Sequence, residues 1–160
     1  MNKRIISMLL MAVLIALSLY FNASDQQEKE QAERPVSPPE QMIRDQNAQK
    51  IDELTKQSNV ISYVQKHHQL PNFYITKKDA RQVGWNPKLG NLCEVAPGKA
   101  IGGDRFLNRE KQLPNSPNRQ WFEADINYNC GHRGSDRLLY SSDGMVYVTI
   151  DHYKSFQLVN

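Results

Sequence analysis

Cysteine is scarce in this chain of 160 residues: Cys93 and Cys130 are the only two. They lie far apart and outside any C-x-x-C pattern, which argues against a zinc site. Neither follows the apolar stretch near the N-terminus closely enough to carry a lipid there. Charge of one sign is also in short supply. The net charge is +3 at pH 7, and residues 51–160 hold 14 Lys plus Arg against 11 Asp plus Glu. A surface this mildly basic is compatible with a polyanionic ligand but does not single one out. Residues 25–50 hold few apolar side chains and are rich in Gln, Glu and Pro, with Pro35, Pro38 and Pro39 close together. Such a composition buries too little surface to offset its ordering entropy, which predicts a disordered linker or a removable pro-segment.

What is present divides the chain into three. In residues 1–24, Lys3 and Arg4 precede an uncharged apolar run of 17 residues from Ile5 to Phe21, and the chain turns polar at Asn22. This is the pattern of an export signal. Its length is near the upper end for a cleavable core and the lower limit for a spanning helix, so a signal peptide and a membrane anchor are both open. In either case the basic end stays in the cytoplasm, and the remainder is placed outside it, secreted or periplasmic. In that compartment an even cysteine count favours one Cys93–Cys130 disulfide, with two buried thiols as the alternative. Closing this loop stabilises by roughly 4 kcal/mol in the chain-entropy account. Residues 51–160 are long enough for one core and form the single expected domain.

Within it, Leu54, Val60, Ile61 and Val64 recur at helical spacing up to His68, where Leu70-Pro71 ends the pattern. His68 in the last turn suits the carbonyl end of that helix when protonated. Thr76 reads as the N-cap of a second short helix ending near Gly84, and a third is expected around 91–95 before Pro97-Gly98. Strands follow. From Trp121 to Tyr128 the residues alternate, placing Glu123, Asp125 and Asn127 on one face and Phe122, Ala124, Ile126 and Tyr128 on the other. Ser141-Ser142-Asp143-Gly144 separates two apolar stretches as a hairpin turn, and 156–159 reads as a last strand. Helices first and an antiparallel sheet afterwards is the α+β class. The first helix should cover Ala124, Ile126, Leu138 and Val146, leaving the polar face free for a ligand.

The last quarter carries Glu123, Arg133, Arg137 and His152, a set suited to cutting a phosphodiester through a neighbouring 2'-hydroxyl. That reaction needs one group to take a proton, one to give it, and fixed positive charge on the phosphate. Spacing alone leaves other readings beside it. Glu123 can be a solvated strand residue, His152 a surface histidine, and Arg137 a cross-strand partner of Asp125.

A longer series of motifs sharpens the choice. From about Ile51 to the C-terminus the chain contains L-P-N-F-Y-I-T-K-K from Leu70, G-W at Gly84, G-N-L from Gly90 and V-A-P-G-K from Val95. I-G-G-D-R-F follows from Ile101, N-R-E from Asn108, E-A-D-I-N-Y from Glu123, S-D-R-L-L-Y-S-S-D from Ser135, and D-H-Y from Asp151. In this order they resemble the barnase-like family of secreted, guanyl-preferring microbial ribonucleases. Ordered matches over about two thirds of the chain are far more specific than any one short motif.

The resemblance implies an endoribonuclease acting on single-stranded RNA without metal or cofactor. Glu123 is the implied general base and His152 the implied general acid, making a 2',3'-cyclic phosphate that water then opens to a 3'-phosphate with the roles reversed. Arg133, Arg137 and Lys77 are implied to surround the phosphate. Asn108, Arg109 and Glu110 form the implied guanine loop, with Tyr153 packing on the base. Leu107 stands in that loop where the family tends to have a small residue, and His132 where an aromatic lines the base pocket. Asp104, Asp125 and Asp143 read as structural: Asp125 braces Arg133 or Arg137, and Asp143 pairs with Arg119. The cysteine pair is not a feature of the family type and reads as an added staple. A monomer is expected, with an acidic, barstar-like inhibitor as partner. The rival readings are a silent RNA- or nucleotide-binding protein of the same fold and an envelope-anchored interaction protein.

Overall fold

The computed structural model describes residues 38–159. The expected signal or anchor at 1–24 and the first half of the expected linker lie outside those residues. Among the described residues no helix is long and apolar enough to cross a membrane.

Composition misleads for the second half of the linker. Helix α1 spans Pro38–Thr55, so residues 38–50 are helical. Its first residues are prolines, which the start of a helix tolerates because those N–H groups have no intrahelical partner. The Gln, Glu, Met, Arg, Ala and Lys that follow are good helix formers. Its C-terminal end is anchored, because Ile51 and Thr55 are fully buried.

The helix expected from Leu54 to His68 is in fact two. Thr55 ends α1, Lys56 is extended, and α2 runs over Gln57–His67. The break has a local cause: the Thr55 carbonyl accepts from Asn127 N–H at 2.7 Å, and its hydroxyl accepts from Tyr128 N–H at 3.0 Å. The groups at the break are thus committed to a distant loop. His68 lies just beyond α2, left-handed at φ 55°, with its N–H donating to the Val64 carbonyl at 2.8 Å. Thr76 caps α3 (Lys77–Gln82) as expected, accepting from Asp79 N–H, and α4 covers Leu92–Val95.

Six strands form one sheet in the order β1 to β6: Tyr74–Ile75, Ala100–Phe106, Trp121–Asp125, Arg137–Ser141, Val146–Thr149 and Gln157–Leu158. Only β1 with β2 is parallel. This is the expected α+β pattern, with a parallel edge that the sequence pattern did not reveal. The register slips at Gly103, which has φ +90° and makes a bulge. Beyond the bulge Asp104 accepts from Lys77 N–H at 2.9 Å, so β2 holds the first turn of α3. Gly102 is required by packing: a Cβ there would lie 2.6 Å from the Tyr74 ring and 2.9 Å from Ala124.

Val60 and Val64 of α2 pack with Ala124, Ile126, Leu138 and Val146 in the main core, as the alternation indicates. The opposite face is not simply polar. Leu113, Trp121 and Leu139 form a second buried cluster there, with Phe106, Tyr147, Tyr153 and Phe156 against it. β3 ends at Asp125, so Asn127 is a left-handed loop residue instead of a strand residue. The disulfide joins Cys93 of α4 to Cys130, with Cα atoms 5.7 Å apart.

Candidate active site

Strand β3 delivers Glu123 to the face of the second buried cluster, where it is 6% exposed. A carboxylate so deep needs partners. Lys77 supplies an ammonium from the start of α3, and the Tyr153 hydroxyl donates to Glu123 Oε2 at 2.7 Å. Desolvation first, then that hydrogen bond to Glu123, push the Tyr153 phenol up to about 12, while Arg137 acts on it in the opposite sense. Tyr153 therefore stays a proton donor to the carboxylate throughout neutral pH.

Two residues along β3, Asp125 is 2% exposed and braces both arginines. Arg133 grips it bidentately, Nε and Nη2 each donating at 2.6 Å. Burial works against the Arg133 charge, but the hydrogen bonds and charge of Asp125 outweigh it and hold the guanidinium protonated. Arg137 stands opposite Asp125 in the β3–β4 register, its Nε 3.0 Å from Oδ1 but off line for a hydrogen bond. Arg137 Nη1 donates to the carbonyls of Gly134 and Asp136 at 2.8 and 2.7 Å. Both cations are thereby fixed beside Glu123 before any ligand arrives.

His152 and Tyr153 occupy a turn after β5, both left-handed at φ 59° and 67°. Non-glycine residues hold that conformation only where surroundings enforce it. Asp151 enforces it by accepting from the N–H groups of Lys154 and Ser155 and from the hydroxyls of Thr149 and Ser155, while Thr149 Oγ1 accepts from Tyr153 N–H. Hydrogen bonds from Ser155 lead the causes that hold the Asp151 carboxyl well below the usual carboxylate range.

A group depressed in this way adds stability above its unfolded value of about 3.9, and loses that contribution as pH falls through the lower folded value. Asp151→Asn is expected to slow cleavage by about 10- to 100-fold through loss of turn geometry. The stability gap to wild type should narrow below about pH 4. Urea titrations at pH 6 and pH 2 check this, and a gap that does not change between them would contradict it.

A cavity of about 420 Å³ opens beside this turn, and its lining includes His152, Tyr153, Asn108 and Glu110. Motif reading omitted four other lining residues: Phe106, Gln112, Lys154 and Phe156. Phe106 was detectable, since it closes a quoted motif, and its ring stacks on Tyr153 at 5.5 Å. Asn108 shapes the loop from within. Its Nδ2 donates to the Leu113 carbonyl at 2.8 Å, and its Oδ1 accepts from Leu113 N–H at 3.0 Å. Leu107, Arg109 and His132 are exposed and do not line the cavity. Arg119 pairs with Asp143 as expected and also donates to the Pro114 carbonyl, tying this loop to the β4–β5 turn. Among the described residues no three His, Cys, Asp or Glu side chains gather to hold a metal ion.

Comparison with known proteins agrees with the fold and the motifs. Residues 57–160 match the family model described as ribonuclease. The chain is 55% identical over 97 residues to a ribonuclease of Heyndrickxia coagulans, covering 61% of this chain and 89% of that protein. It is equally similar to ribonucleases of Bacillus intermedius and Bacillus pumilus, spanning 60% of the length of each. The class so defined is an RNA-cleaving enzyme. The chain belongs to the barnase-like microbial ribonuclease family.

Proposed function

We infer that the protein is an exported endoribonuclease that cuts single-stranded RNA on the 3' side of guanine. The observation that carries this reading is the buried Glu123 carboxylate, held by Lys77 and Tyr153 beside two braced arginines, with Tyr153 also lining the cavity of His152 and Glu110. Glu123 takes the 2'-hydroxyl proton, and the 2'-oxygen attacks phosphorus. His152 protonates the departing 5'-oxygen, leaving a 2',3'-cyclic phosphate. In the second step His152 draws the proton from water, Glu123 returns one to the 2'-oxygen, and a 3'-phosphate results. Arg133, Arg137 and Lys77 stabilise the charge that grows on the phosphoryl oxygens. The guanine sits in the cavity, with the Glu110 carboxylate accepting from its ring N–H and amino group, a donor pair that adenine lacks. Export is supported by the N-terminal apolar run and the disulfide. The protein acts as a monomer, and the producing cell needs an inhibitor with an acidic face to cover the cationic site.

Matched RNA oligonucleotides, each with a single G, A, C or U, test this reading in EDTA with the full chain. Scission after G through a cyclic phosphate is the expected result. Cleavage without base preference would remove the guanine assignment and keep the chemistry, whereas no cleavage of any substrate would overturn both.

A further inference from the structure

Residues 126–136 run from β3 to β4 and carry Arg133, and this loop is secured far beyond the site. At its start Asn127 and Tyr128 bond to Thr55, and Asn127 Oδ1 accepts from Gln57 N–H at 3.0 Å. Midway, Cys130 and Gly131 are both left-handed, at φ 46° and 69°, and Cys130 is bonded to Cys93. The Tyr128 hydroxyl donates to the Gly131 carbonyl at 3.2 Å. Gly90, just before α4, presses backbone to backbone on the next step: a Cβ there would lie 2.7 Å from Gly131 C and from His132 N. Two residues past Gly131, Arg133 grips Asp125.

We propose that the Cys93–Cys130 disulfide, with the Gly90 contact beside it, is a positioning device for the reaction that sets the Arg133 guanidinium against the scissile phosphate. The loop has no regular secondary structure to fix it between Tyr128 and Arg133, and Cys130, a non-glycine residue, holds its left-handed conformation only under constraint. The disulfide and the Gly90 contact supply that constraint on the α4 side, and Asp125 receives the guanidinium on the other. Slackening the α4 side lets the Arg133 backbone wander, and a bidentate fork loses alignment with small displacements. The guanine cavity is built from 106–112 and 152–156 and does not include this loop. Phosphate affinity and base affinity are therefore separable.

This inference rests on the site reading above, and its test compares binding of guanosine 3'-monophosphate with binding of guanosine. Two full-chain variants perturb the loop independently: Cys93→Ala/Cys130→Ala removes the bond, and Gly90→Ala keeps it but forces the backbones apart. In both, the preference for the phosphorylated ligand should fall by about fivefold or more with guanosine affinity unchanged. Neither change should lower it further once Arg133→Ala is present. Loss of thermal stability in either variant with the wild-type preference retained would overturn the proposal and leave a staple only. Failure of the wild type to bind either ligand would overturn the site reading, and this inference with it.

Discussion

Glu123→Gln is expected to lower kcat on single-G RNA by about 10²–10⁴-fold, the range for loss of a positioned general base. The substitution is nearly isosteric at a site only 6% exposed, so it leaves no cavity. An amide oxygen can still accept the Tyr153 hydroxyl. What disappears is the proton acceptor, together with the counter-charge of Lys77. The Lys77 ammonium is itself partly exposed and can turn to water, so folding stability should move far less than turnover. Single-turnover cleavage at saturating RNA, read beside a urea midpoint, separates the two quantities. A rate within about threefold of wild type would place the base elsewhere.

The second large effect is on stability. Asp125→Ala should destabilise the protein by about 3–5 kcal/mol, because it leaves Arg137 at 3% exposure without its carboxylate and Arg133 without its bidentate partner. Against a total of about 5–15 kcal/mol for a typical domain, that is a large share. Two unpaired cations should attract an anion, so added sulfate should restore part of the lost melting temperature in the variant more than in wild type. A urea midpoint equal to that of wild type would show that the carboxylate contributes little.

Sequence reading succeeded where one physical signal was strong and local. The 3.6-residue period of Val60 and Val64, the Thr76 cap and the Asp143-Gly144 turn each specify their element from neighbouring residues. β1 is two residues long, and β2 is interrupted by Gly102 and Gly103, so neither offered a period to count. α1 was hidden because its charged and amide residues look alike in a helix and a tether. Motifs singled out Glu123, Tyr153 and His152, and alternation placed Glu123 and Asp125 on an open face. Each of these two carboxylates is in fact buried with partners that come from elsewhere in the chain, Lys77 and Tyr153 at Glu123 and Arg133 and Arg137 at Asp125, and these meet only in three dimensions. Asn108 illustrates the same limit, since its inward hydrogen bonds to Leu113 depend on how the loop closes.

Adjacent strand residues point to opposite faces, so Leu138 belongs to the core beneath α2 and its neighbour Leu139 to the aromatic cluster around the site. The sheet thereby divides the apolar interior into two compartments joined by backbone. Substitutions on one side leave the packing of the other largely intact, and distant sites without shared partners combine almost additively. A lineage with this fold can vary the aromatic floor and loops of one compartment while the other keeps the chain folded. Selection on substrate choice and selection on persistence then act on different residues, and drift in one need not be matched by drift in the other.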